Sequence, residues 1–81
     1  MEIKMKLDKK ISIPFWAVPS ARDIINTEID SFLSNYKTTR QAQFTEENAI
    51  VYTTFIISIS GSDGAEIKEL MNTIERKLAE I

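Results

Sequence analysis

The sequence predicts an α+β fold in the order β-α-β-β-α. This is a two-layer sandwich with two helices on one face of a small, mainly antiparallel sheet. Three observations carry that expectation. Apolar residues alternate at period two near the N-terminus. The segment 49–60, AIVYTTFIISIS, is dense in β-branched and aromatic residues. Two further stretches repeat apolar residues at spacings of three and four.

The first strand is expected over 2–13. Ile3, Met5, Leu7, Ile11 and Ile13 occupy odd positions, with Glu2, Lys4, Lys6 and Ser12 between them. Period two gives one buried and one wet face. Asp8-Lys9-Lys10 interrupts the pattern without the Gly or Asn that a two-residue hairpin turn prefers, so one long, bent or bulged strand is expected over a hairpin. Pro14 closes it, because proline cannot donate to a ladder.

The first helix is expected to open at Ser20, after Pro19, with Asp23 at capping-box distance. Ala21, Ile25, Ile29, Phe32, Leu33 and Tyr36 recur at helical spacing with Ile24 beside them. Arg22, Asn26, Asp30 and Ser34 fill the other side, so the helix is amphipathic.

A hairpin follows. Residues 38–45 read as a polar strand with Ala42 and Phe44 on one side, Glu46-Glu47-Asn48 as the turn, and 49–60 as the return strand. Val51, Thr53, Phe55, Ile57 and Ile59 form the more apolar face of the return strand. Ile50, Tyr52, Thr54, Ile56 and Ser58 form a mixed one. A strand apolar on both faces belongs at the centre of a sheet.

The second helix runs from about Asp63 to the end. Asp63 is the cap, Glu66 lies three residues on, and Ile67, Leu70, Met71, Ile74, Leu78 and Ile81 form one stripe. Ile25, Ile29, Leu33, Phe55, Ile57, Ile67, Leu70, Ile74 and Leu78 make the expected core. A right-handed β-α-β crossover leaves space for 49–60 between the other two strands. The arrangement resembles a ferredoxin-like split β-α-β unit without its last strand, and that likeness carries no function.

The chain has 81 residues, enough for one modest core, so 1–81 is read as a single domain. It contains no cysteine, no apolar membrane-length run and no apolar leader core near its N-terminus, from which a cytoplasmic location is expected. Net charge is −2. Residues 1–40 hold seven Lys/Arg against five Asp/Glu, and 41–81 hold three against seven. Such a balance argues against a dedicated nucleic-acid binder.

Histidine is absent as well. Without His or Cys there is no Ser-His-Asp triad, no thiol nucleophile and no Cys/His zinc site. No catalytic, metal-binding or cofactor-binding residue is assigned, and a non-enzyme is expected. Ser60-Gly61-Ser62-Asp63-Gly64 joins strand to helix, where a phosphate loop would lie. It lacks the Lys-Ser/Thr ending of a P-loop, and Asp63 puts a carboxylate where phosphate would bind. A tight turn with an acidic cap is the better reading.

Two places remain for a partner. One is the loop Pro14-Phe15-Trp16-Ala17-Val18-Pro19, where Phe15, Trp16 and Val18 either fold over the core edge or anchor a partner. The other is the sheet face opposite the helices, which parity gives Lys4, Lys6, Ser12, Tyr52, Thr54, Ile56 and Ser58. The partner-binding candidates are therefore Phe15, Trp16, Val18, Tyr52, Ile56, Lys4 and Lys6. The functional expectation is a small protein-interaction module, a regulator or inhibitor that occupies a partner protein's surface, of a kind common in phages and other mobile elements. The chain is expected to form a homodimer through its sheet. The alternatives are a nucleic-acid-binding module using the open face with Lys4, Lys6, Lys9, Lys10 and Arg40, and a structural subunit of a larger assembly.

Overall fold

The computed structural model describes residues 5–34 and 40–81. It has the expected order. Strand β1 spans Met5–Pro14, a 3-10 turn spans Phe15–Ala17, and helix α1 spans Val18–Leu33. Strands β2 (Arg40–Asn48) and β3 (Tyr52–Gly61) follow, then helix α2 (Gly64–Ala79). The sheet order is β1-β3-β2, antiparallel throughout, with β3 at the centre as its two apolar faces require.

β1 is one unbroken strand. It pairs with β3 residue by residue from Met5–Gly61 to Pro14–Tyr52, so Asp8-Lys9-Lys10 forms neither a hairpin nor a bulge. The three polar residues stay in register because the ladder needs only their backbones. Glu2–Lys4 of the expected strand lie outside the described residues.

Both helices cover the same face of the sheet. That face presents Ile13 from β1, Phe55, Ile57 and Ile59 from β3, and the half-buried Ala42 and Phe44 from β2. Phe44 and Phe55 meet edge-tilted, with ring centres 5.9 Å apart. α1 adds Val18, Ala21, Ile25, Ile29 and Phe32, and α2 adds Ile67, Leu70, Met71, Ile74 and Leu78. Eight of the nine expected core residues are buried; Leu33 is 41% exposed. Phe32 takes the inward position at that turn, because it continues the stripe of Ile25 and Ile29 while Leu33 lies one residue, about 100°, further round the helix. Tyr36 lies outside the described residues.

Three boundaries differ from those the sequence predicts. α1 starts at Val18, two residues before Ser20, because the 3-10 turn runs straight into it and Pro19 is tolerated in a first turn. Ser20 is therefore inside the helix and is not its cap. Glu46, Glu47 and Asn48 belong to β2, paired with Phe55, Thr54 and Thr53. The turn falls later, at Ile50-Val51, with Ala49 N–H donating to Tyr52 O at 2.8 Å. Strand pairing overrides the local turn preference of the Glu-Glu-Asn stretch. The Asp63 cap forms as expected, accepting from the N–H groups of Ala65 and Glu66 at 3.1 and 3.3 Å. Its carboxylate fills the helix N-terminus that a phosphate would need.

Ion pairs fix the layers to each other. Arg40 is the most enclosed: its side chain is 7% exposed. It donates to Phe32 O at 2.7 Å, pairs with Glu66, and lies over the Phe32 ring at 4.9 Å. It thus ties the end of α1 and the start of α2 to β2. Arg22 of α1 holds Glu46 of β2 with two parallel bonds of 2.9 and 2.8 Å. Lys77 pairs with Glu28 between the helices, and Lys9 pairs with Glu75 at 2.9 Å.

Candidate partner-binding surface

Residues 14–16 and 50–52 are far apart in sequence and adjacent in space. The β1–β3 register brings Pro14 opposite Tyr52. One step further, Phe15 N–H donates to Val51 O at 3.1 Å, carrying the ladder into the 3-10 turn. The turn that follows β1 is thereby fastened to the tip of the β2–β3 hairpin.

The result is an exposed apolar pole at one end of the sheet. Phe15 is 64% exposed, Trp16 65%, Ile50 98%, Val51 56% and Tyr52 48%. Nothing charged interrupts it: 14–21 and 48–54 carry no Asp, Glu, Lys or Arg, in a chain that is 27% charged. Interface cores are depleted in charge and enriched in aromatics in this way. Exposed apolar side chains gathered at one end of a sheet are costly to leave in water and point to a contact site.

The hairpin tip is chemically unexpected for a turn. A two-residue connection favours Asn-Gly or Asp-Gly, which accept positive φ. This one uses two β-branched residues, and none of the described residues has positive φ. Where sequence departs from local turn chemistry, a functional demand is the usual reason. Below the tip, the Thr53 hydroxyl donates to Asn48 Oδ1 at 2.9 Å, which satisfies this buried polar side chain.

The candidates named from the sequence separate into groups. Phe15, Trp16 and Tyr52 join the pole. Val18 is buried in the core, so of the three loop residues only Val18 folds inward while Phe15 and Trp16 face solvent. Ile56 is half-buried in the middle of the open face, and Lys6 lies at that face's far end, opposite Ser60. Lys4 is outside the described residues. Ile50 and Val51 read as strand by their β-branching, which hides their place in the pole. The absence of charge on both sides of them is the signal that could find them.

The open face itself is polar. Its cross-strand rows are Lys6-Ser60-Gln41, Asp8-Ser58-Gln43, Lys10-Ile56-Thr45 and Ser12-Thr54-Glu47. Ser58 donates to Asp8 at 2.5 Å, and the Ser12 and Thr54 hydroxyls bond at 3.1 Å. Two lysines face two carboxylates, so these rows have no net charge. Lys9 and Arg40, placed with the open-face cations in the nucleic-acid alternative, lie on the helix side, bound to Glu75 and Glu66. Strand parity decides this: odd residues of β1 and even residues of β2 share the face of Phe55 and Ile57.

No group of three or more metal-ligating side chains occurs among the described residues. No helix among them is long and apolar enough to cross a membrane. A depression of about 540 Å³ is lined by Gln41, Gln43, Ser58, Ser60, Lys6 and Arg40 together with Leu33 and Ala42. Comparison of the chain with protein-family models, with curated proteins and with solved structures returned no match.

Proposed function

We propose that this chain is a non-enzymatic, cytoplasmic protein-interaction module, a regulator or inhibitor that acts by seating its apolar pole on a partner protein. The observation that carries the proposal is the convergence of Phe15, Trp16, Ile50, Val51 and Tyr52 on one uncharged, exposed end. Trp and Tyr are the residues most enriched where binding energy concentrates. Their rigid mounting, between two prolines on one side and a closed hairpin on the other, limits the ordering cost of binding. The balanced charge of the open face supports a protein partner over nucleic acid, whose phosphates need a net basic surface.

Trp16 is the chain's only tryptophan, so its fluorescence reads the pole directly. A photo-crosslinking residue at position 16 should label one host protein. The same residue at exposed Asn72, on the outer side of α2, should not. Trp16→Ala with Ile50→Asp should abolish labelling from position 52 and leave the melting curve in place. Labelling equal from positions 16 and 72 would refute the proposal. A blue shift of Trp16 on adding zwitterionic or anionic vesicles, without protein labelling, would replace the protein partner by a lipid surface. Co-purifying nucleic acid would promote the nucleic-acid alternative.

A further inference from the structure

We infer that a second copy of this chain pairs along the outer edge of β1, in one register, centred on Lys9, to give a continuous six-stranded antiparallel sheet. This deepens the expectation of a homodimer and does not depend on the apolar pole.

Among the described residues nothing pairs with that edge, which is the position a fourth strand would occupy. The backbone groups it offers follow from the ladder. Phe15 bonds to Val51, so in an unbroken antiparallel register the odd residues of β1 exchange their bonds with β3. The even residues Lys6, Asp8, Lys10 and Ser12 then point their N–H and C=O groups outward. Pro14 is also even, so its missing N–H costs the β1–β3 ladder nothing. Unpaired edges of this length invite pairing.

The side chains select the register. Two-fold pairing about residue 9 sets Asp8 against the mate's Lys10, and Lys10 against the mate's Asp8, on the open face. On the helix face it sets Leu7 against Ile11 and Met5 against Ile13. Centring on residue 8 opposes Asp8 to itself and Lys6 to Lys10. Centring on residue 10 opposes Lys10 to itself and sets Lys9 against Ile11. Of these registers, only the one centred on Lys9 sets Asp8 against Lys10 and apolar against apolar on both sides of the axis; its one like-charge contact is Lys9 with Lys9, on the axis itself. The two Lys9 side chains meet at the axis, and each brings its own Glu75 partner at 2.9 Å.

The surface has space for this contact. A groove of about 400 Å³ runs beside the edge between Ile11, Ile13 and Leu78, Ala79 of α2. In the Lys9 register the mate's Leu7 and Met5 enter it. Leu7 and Ile11 are only partly buried against the core and Met5 is 42% exposed, so the pairing completes their burial. The opposite edge of the sheet is less suited. There Arg22 of α1 grips Glu46, and the β2 residues are mostly polar.

The test is a charge swap read by light scattering and sedimentation of the full chain. Asp8→Lys alone and Lys10→Asp alone should each weaken the dimer about tenfold or more, since opposed like charges replace two attractive cross-strand pairs. Mixing the two single variants should restore a dimer, now a heterodimer, because positions 8 and 10 again carry opposite charges across the axis. The double variant should dimerise with itself. Far-UV dichroism on each variant establishes that it is folded. A wild-type chain that stays monomeric at high micromolar concentration overturns the inference. So does a dimer indifferent to these changes, or one that Trp16→Ala with Ile50→Asp dissociates; the last would make the pole the self-contact.

Discussion

Arg40 is where a single residue connects most of the structure. Its guanidinium satisfies the last turn of α1 through Phe32 O, where a cation also complements the helix dipole. It pairs with Glu66 in the first turn of α2. Arg40→Ala would leave the Glu66 carboxylate and the helix end without this partner. A loss of about 2 kcal/mol is expected, the scale of charge-assisted bonds in a partly buried site. Chemical denaturation should read it as a lower midpoint at unchanged slope. Core truncations cost more: Ile57→Ala and Leu70→Ala should each lose about 2–5 kcal/mol, whereas Leu33→Ala, at an exposed position, should change stability by less than about 1 kcal/mol. Glu46 gives the molecule a specific acid response. The hydrogen bonds from Arg22 hold its carboxyl below the ordinary carboxylate range, and the charge of Arg22 acts in the same direction. A lowered folded-state pKa means that the stabilisation is complete above the unfolded value and is lost as pH falls through the folded one. Glu46→Gln should therefore flatten the acid limb of the melting-temperature profile and leave its shape near neutrality unchanged.

At the scale of elements, the proposed function makes the β2–β3 hairpin the place where stability and recognition separate. Its two-residue tip, Ile50-Val51, closes a register fixed by Thr53, Phe55, Ile57 and Ile59 against the core. Replacing the tip by Asn-Gly supplies the residues such a turn prefers and removes two exposed apolar side chains. The variant should melt at the same temperature as the parent or higher, and should lose crosslinking from position 16 to the partner. Stability and binding moving together would mean that the tip is a folding element only. β1 shows the opposite balance. Its central Asp8-Lys9-Lys10 contributes little apolar burial, and continuous pairing with β3 keeps it straight. In the proposed dimer the same three residues set the register at its outer edge.

The whole molecule is elongated, with a Cα extent of 45 × 18 × 16 Å. Pairing through β1 about a two-fold axis perpendicular to the sheet puts the two apolar poles at opposite ends of the assembly. If both proposals hold, such a dimer presents two separate docking points, so a partner with two matching sites gains avidity while one with a single site does not. Variants confined to the monomer by Lys10→Asp should keep the one-site affinity and lose the two-site gain, measurable by interferometry at low and high partner density. Tight binding of mixed-sequence DNA or RNA at physiological salt is not expected. The open face carries Lys6 and Lys10 against Asp8 and Glu47, and Tyr52 is the one aromatic among its described residues. A steep salt dependence in a titration would contradict this.

Hydrophobic periodicity by itself determined the element order, the central place of β3, the shared face of the two helices and nearly all of the core. Burial of apolar area is the main driving force in a small domain, and its pattern is written directly along the chain. The Asp63 cap was equally legible, because capping is a contact between neighbours in sequence. What the pattern left open was decided by contacts between distant residues. Leu33 yields to Phe32 because the stripe the core actually covers runs through Ile25, Ile29 and Phe32. Glu46, Glu47 and Asn48 become strand because β3 pairs with them. Arg40 and Lys9 turn to the helix side by parity and find Glu66 and Glu75 there. The apolar pole exists only because the β1–β3 ladder continues one step past Pro14, bringing Phe15 to Val51. A surface assembled from two segments so distant along the chain is set by register, and register is a property of the folded sheet.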